Sequence, residues 1–332
     1  MAQENDDIYL LTEVASLYYE ENYTQEQIAK MIGVSRSGIS RLLTRSRELG
    51  LVDIHVHHPL RISQPLHDEL VKQFGLEDAQ VLLSTSTDEA VLSHVGALAA
   101  RYIDHRIQES MSSTSKEAPT IGISWGTSML EMLKALRPRQ RLSLNVVQLM
   151  GSVGTTLLAE SDGYEIARQL ADAYRGHCYY LHAPLLVADS LVREGLLQER
   201  NLHRSFEMME QIDIAVAGIG GASPEVSGLF RAGYLREDEL QVLRSQGAVG
   251  DICGWYVDIN GHICETEMLN RTIAVPFETL RRVPLVVAVA AGIAKTEAIL
   301  GVLRTGVVKV LITDELCARA MLSQLSSREG DE

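Results

Sequence analysis

Between Thr24 and Arg47 the chain reads TQEQIAKMIGVSRSGISRLLTRSR. If Arg36 onward is helical, Arg36, Ser37, Ser40, Arg41 and Arg45 fall on one side and Ile39, Leu42 and Leu43 on the other. Guanidinium and hydroxyl groups in that array can donate hydrogen bonds to base edges in a DNA major groove and to the flanking phosphates. The charge pattern agrees. The whole chain of 332 residues has a formal net charge of -14, yet from Ile28 to Arg47 it carries Lys30, Arg36, Arg41, Arg45 and Arg47 with no Asp or Glu. A basic patch on an acidic chain is an electrostatic footprint for phosphate.

The residues around that face supply the elements to hold it. Thr24 can cap a helix, and Gln27 three positions on completes a capping box. Ile28, Ala29 and Ile32 give that helix an apolar face, Gly33 suits a sharp turn, and Ser35 can cap the helix that follows. The spacing predicts a helix-turn-helix with Thr24, Gln25, Ser35, Arg36, Ser37, Ser40, Arg41 and Arg45 as candidate contacts to operator DNA. A preceding helix is expected over 10–21. Gly50 reads as a C-cap signal, and the alternation over 51–56 reads as a short strand, the wing of a winged variant. His55, His57 and His58 cluster there, but with no cysteine or carboxylate at ligand spacing no metal site is expected.

The chain is too long for this module alone, and Pro59 to Pro65 reads as a linker. The expected domains are 1–58, which binds DNA, and 59–332, which binds an effector and oligomerises. From Leu66 on, apolar strands near 79–83, 120–124, 144–150, 212–217, 285–291 and 307–313 alternate with helices, and 110–119 reads as a polar loop. That order implies an α/β fold: a parallel Rossmann-like sheet covered on both faces. No apolar run spans a bilayer and the N-terminus is polar, so a cytoplasmic location is expected. Cys178, Cys253, Cys264 and Cys317 lack CxxC spacing and read as free thiols.

Open parallel sheets place ligands at the C-terminal ends of their strands. Four such ends are rich in Gly, Ser or Thr: Ser124-Trp125-Gly126-Thr127, Gly151-Ser152, Gly218 to Gly221, and Gly292. The Ser124 to Thr127 turn, directly before a helix, is the best phosphate cradle. Lys295 follows a strand end and can add a point charge for phosphate. Asp251 can accept hydrogen bonds from sugar hydroxyls, whereas Asp258 fits a hairpin turn. Candidate effector contacts are Ser124, Gly126, Thr127, Gly151, Ser152, Gly218, Gly220, Asp251 and Lys295. Neither a dinucleotide fingerprint nor a P-loop is present, and no cofactor is expected.

With the helix-turn-helix, TIGISWGTSM at 120–129, LMGSVG at 149–154, AGIGG at 217–221, GAVGDICGWYVDINGH at 247–262 and the stretch 287–322 resemble the SorC/DeoR-type sugar-sensing transcriptional regulators of bacteria. Ala291 departs from a glycine common in that family. The resemblance implies a C-terminal domain with the fold of sugar-phosphate isomerases and CoA transferases, kept as a sensor. It implies a phosphorylated sugar or polyol effector, with phosphate near Gly126, Thr127 and Lys295 and hydroxyls near Asp251. It also implies a homo-oligomer, dimer or tetramer, acting as a repressor of a carbohydrate-catabolic operon. An isomerase or deaminase with a DNA-binding head is the alternative.

Overall fold

The computed structural model describes residues 2–52, 60–83, 88–113, 118–140, 142–154 and 160–329. It divides into two compact units, Met1–Pro59 and Leu60–Glu332.

The first unit holds α1 (Ala2–Tyr19), α2 (Gln25–Ile32) and α3 (Arg36–Glu48). The local signals act as their chemistry requires. Thr24 and Gln27 form the reciprocal capping box, Gly33 turns the chain at φ 80°, and the Ser35 hydroxyl accepts from the Gly38 N–H. Val14, Ile28, Ala29, Ile39 and Leu43 make the core, packed by Leu10, Leu17 and Leu42. Ser46, fully buried, donates to the Leu11 carbonyl at 3.1 Å and so ties α3 to α1. The first helix begins well before the expected residue 10. The expected wing lies largely outside the described residues.

The second unit continues with α4 (Gln64–Phe74), β1 (Asp78–Leu82), α5 (Asp88–Ser113), β2 (Thr120–Ile123), α6 (Thr127–Ala135), β3 (Asn145–Gln148), α7 (Gly163–Tyr174) and β4 (His177–Tyr179). Then come α8 (Ser190–Leu197), α9 (Arg200–Met209), β5 (Ile214–Gly221), α10 (Gly228–Arg231), α11 (Glu237–Ser245), β6 (Ala248–Ile252) and β7 (Trp255–Asp258). The chain closes with α12 (Phe277–Arg282), β8 (Leu285–Val289), α13 (Thr296–Arg304), β9 (Val310–Asp314) and α14 (Glu315–Glu329). The strands run in the order β1-β9-β8-β5-β2-β3-β4, every neighbouring pair parallel. Buried clusters lie on both faces: Ile121, Ile123, Val216 and Val287 on one, Val147, Ala215, Ala217 and Val286 on the other. This is the expected α/β architecture, and strand alternation explains the split.

The start of the expected loop at 110–119 is helical, because α5 runs on to Ser113. Strand β5 outlasts its parallel partners. Ile214 to Gly218 pair with β8, and Ile219 to Gly221 then pair antiparallel with β6 of the β6–β7 hairpin.

Candidate functional site

In the first unit, Arg36, Ser37, Ser40, Arg41 and Arg45 are all exposed along α3, together with Thr24 and Ser35, while Gln25 is half-buried. Thr24 and Ser35 have their hydroxyls engaged in capping, so their part is to fix the turn. The Arg41 Nε leans on the Ser37 carbonyl at 3.4 Å, a weak contact that leaves the guanidinium free to engage another partner.

In the second unit a cavity of about 180 Å³ opens at the C-terminal ends of β2 and β5. Seven of the expected effector contacts line it: Ser124, Gly126, Thr127, Gly218, Gly220, Asp251 and Lys295. Gly126 precedes α6 and, among the described residues, no side chain caps that helix, so its first-turn N–H groups can donate to an anion in the cavity. Ser124 is buried and serves the scaffold. Its Oγ accepts from the Gly218 N–H at 3.1 Å and donates to the Trp125 carbonyl at 3.3 Å.

Lys295 donates from Nζ to the Ile219 carbonyl at 2.9 Å. Burial, and then the nearby Arg231, hold its pKa below the usual lysine value, while Asp251 acts the other way. Asp251 lies opposite Gly220 in the β5–β6 pairing, and a Cβ on Gly220 would sit 2.1 Å from Asp251 Oδ1. Glycine is required there for the carboxylate to lie against β5. The other oxygen, Oδ2, accepts from the Gly254 N–H at 3.0 Å. Burial pushes the Asp251 carboxyl up from 3.8 to about 6, against the pull of that hydrogen bond and of Lys295.

Two expected contacts lie elsewhere. Gly151 and Ser152 are not among the residues that line the cavity, although their neighbour Met150 is. The Gly151 N–H donates to Ile273, and a Cβ on Gly151 would meet the Pro184 carbonyl oxygen at 2.5 Å. Ser152 exchanges backbone hydrogen bonds with Ala183 and Leu185. This glycine serves close backbone packing, a need that a Gly-Ser strand end does not distinguish from ligand approach. Gly292 likewise turns away, donating to Asp314 Oδ2 at 2.6 Å. Asp258 holds its turn, accepting from the Asn260 and His262 N–H groups.

Residues 59–323 match the family described as "Putative sugar-binding domain", and residues 12–48 match "Sigma-70, region 4". The chain is 34% identical over 317 residues to the deoxyribonucleoside regulator of Bacillus subtilis, covering 95% of this chain and 98% of that one. The chain belongs to the SorC/DeoR-type family of bacterial sugar-binding transcriptional regulators. It is also 29% identical over 322 residues to the sorbitol operon regulator of Klebsiella pneumoniae, covering 96% of this chain and 99% of that one. The crystal structure of the full-length Klebsiella pneumoniae sorbitol operon regulator SorC superposes with a TM-score of 0.71 at 28% identity, covering 95% of this chain and 99% of that one.

Within this SorC/DeoR-type chain the sequence reading missed Arg231, which lines the cavity from α10. It also missed Tyr256 and Cys253, which line it from the β6–β7 hairpin. Arg231 sits on a four-residue helix with no periodicity to announce it. The GDICGWYVD stretch did signal a special turn: Cys253 and Gly254 both have positive φ, at 52° and 79°.

Two expected results follow from these geometries. Arg41→Ala should weaken binding to a duplex selected in vitro against the wild type by about 1–3 kcal/mol, as for loss of a bidentate base contact, with effector-induced stabilisation unchanged. Fluorescence anisotropy measures it, and wild-type affinity would remove Arg41 from the contact set. Asp251→Asn should raise the melting temperature more at pH 8 than at pH 5. The folded-state pKa is raised, so between 3.8 and about 6 the folded state holds the extra proton and stability falls as pH rises. The asparagine variant escapes that loss, gaining about 1 kcal/mol more at pH 8 than at pH 5. Equal shifts at both pH values would contradict the raised pKa.

Proposed function

We propose that the cavity of the second unit binds a phosphorylated sugar or polyol, and that its occupancy controls operator binding by the N-terminal head. The observation that carries this reading is the convergence of an uncapped helix N-terminus, Lys295 and Arg231 on one cavity. Two like charges beside a helix dipole are stabilised by an anion, and a phosphate presents the oxygens to meet them all. Asp251 supplies an acceptor for hydroxyl groups elsewhere in the same cavity.

The cavity serves binding rather than turnover, as fits a chain whose relatives regulate transcription. The protein works as a homo-oligomer and represses a carbohydrate-catabolic operon. Effector changes how subunits pair and so the spacing of the heads, which must match half-sites about one helical turn or a multiple apart. Effector and operator then change each other's affinity by the same factor.

A thermal-shift screen against sugars, polyols and their phosphates tests the effector class. A ligand at 100 times its dissociation constant adds about 2.7 kcal/mol. Only phosphorylated compounds should stabilise the protein. Stabilisation by free sugars or polyols alone would remove the phosphate. Turnover of pentose or amino-sugar phosphates would make the protein an enzyme.

A further inference from the structure

Tyr256 is 4% exposed and lines the cavity. Its ring belongs to the hydrophobic core, and a phenylalanine would fill that space equally well. Its hydroxyl is the unusual part. It makes no hydrogen bond among the described residues, yet it is not one of their fully enclosed unpaired side-chain atoms, so its oxygen keeps some surface. In a residue only 4% exposed that lines the cavity, that remaining surface belongs to the cavity wall, where a ligand can supply the missing partner. Thr313, by contrast, has a fully enclosed unpaired hydroxyl and does not line the cavity.

The setting of Tyr256 is rigid. It pairs across the hairpin with Asp251, so the two side chains leave the same face side by side. The two-residue turn at Cys253 and Gly254 closes the hairpin, and the Trp255 indole donates to the Val275 carbonyl at 2.8 Å. Burial and the neighbouring Asp251 hold the phenol far from ionisation, so it offers an O–H donor. Asp251 beside it offers an acceptor.

We infer that Tyr256 is a specificity-determining residue, whose hydroxyl donates a hydrogen bond to an oxygen of the bound polyol or sugar chain next to the hydroxyl that Asp251 accepts. This rests on reading the cavity as a polyol-phosphate site. Donor and acceptor together select a carbon chain bearing adjacent oxygens, and they discriminate against a ligand with a bare methylene at that depth.

The test is calorimetric titration of full-length wild type, Tyr256→Phe, Asp251→Asn and the double variant. The ligands are inorganic phosphate, glycerol 3-phosphate, erythritol 4-phosphate, ribose 5-phosphate and sorbitol 6-phosphate, with the free polyols alongside. Tyr256→Phe removes one oxygen that makes no hydrogen bond within the chain and should melt close to the wild-type temperature. For the tightest organic ligand its affinity should fall about tenfold or more, the loss of one hydrogen bond, against less than about threefold for inorganic phosphate. The double variant should lose less than the product of the single losses. Wild-type affinities in Tyr256→Phe, equal losses for phosphate and organic ligands, or no binding of any compound to the wild type would each overturn the inference. If only free polyols bind, the phosphate reading falls, and Tyr256→Phe is judged on the polyol series by the same tenfold criterion.

Discussion

Lys295→Ala should reduce affinity for the proposed phosphorylated effector by about 100-fold or more, the scale of losing a charge-assisted contact in a recessed site. The ammonium group is held in place by the Ile219 carbonyl, and it shares the cavity with the uncapped start of α6. Without ligand, the variant should be as stable as the wild type or more so. The lysine is desolvated and repelled by Arg231, which is why its pKa lies below the usual value. Operator binding in the absence of effector should persist. Calorimetry with the effector found by thermal shift, and anisotropy on operator DNA, read the two activities separately. A variant that responds to effector like the wild type would remove Lys295 from the site. Equal damage to both activities would indicate a folding defect.

The second large effect concerns the head. Ile39→Ala should cost about 2–5 kcal/mol, the range for truncating a fully buried aliphatic side chain. Ile39 is wholly inaccessible, and among the described residues its core cluster has just four other buried apolar members, Val14, Ile28, Ala29 and Leu43. So small a core lacks other contacts to absorb the gap, and a domain of this size has little stability in reserve. The expected result is loss of DNA binding with effector-induced stabilisation intact, since the second unit has its own core. Circular dichroism and anisotropy check it. Wild-type DNA affinity at 37 °C would show that the head tolerates the cavity.

The head was legible because its determinants are local. Thr24, Gln27, Gly33 and Ser35 act within three or four residues, through hydrogen bonds and one backbone angle. The parallel strands were legible because near-continuous apolar runs mark burial on both faces. Asp251 and Lys295 stood out as charged residues in segments otherwise built for strand ends. Arg231 and Tyr256 did not, since what brings them to the cavity is tertiary: a four-residue helix in one case, a cross-strand pairing in the other. Gly151 misled because its partner, Pro184, is distant in sequence, and a glycine pressed on backbone reads like one that admits a ligand.

Strand β5 has a consequence for how effector preference can change. Gly218 is fastened to Ser124, Ile219 to Lys295 and Gly220 to Asp251. Three successive residues thus hold Ser124, Lys295 and Asp251, so the distances among them are set by bond lengths of one backbone. The cavity works as a caliper with welded jaws. Side-chain replacement can alter which groups are gripped, but a longer or shorter effector needs a new backbone path. Divergence toward new effectors should therefore swap chemistry at fixed length more readily than change length.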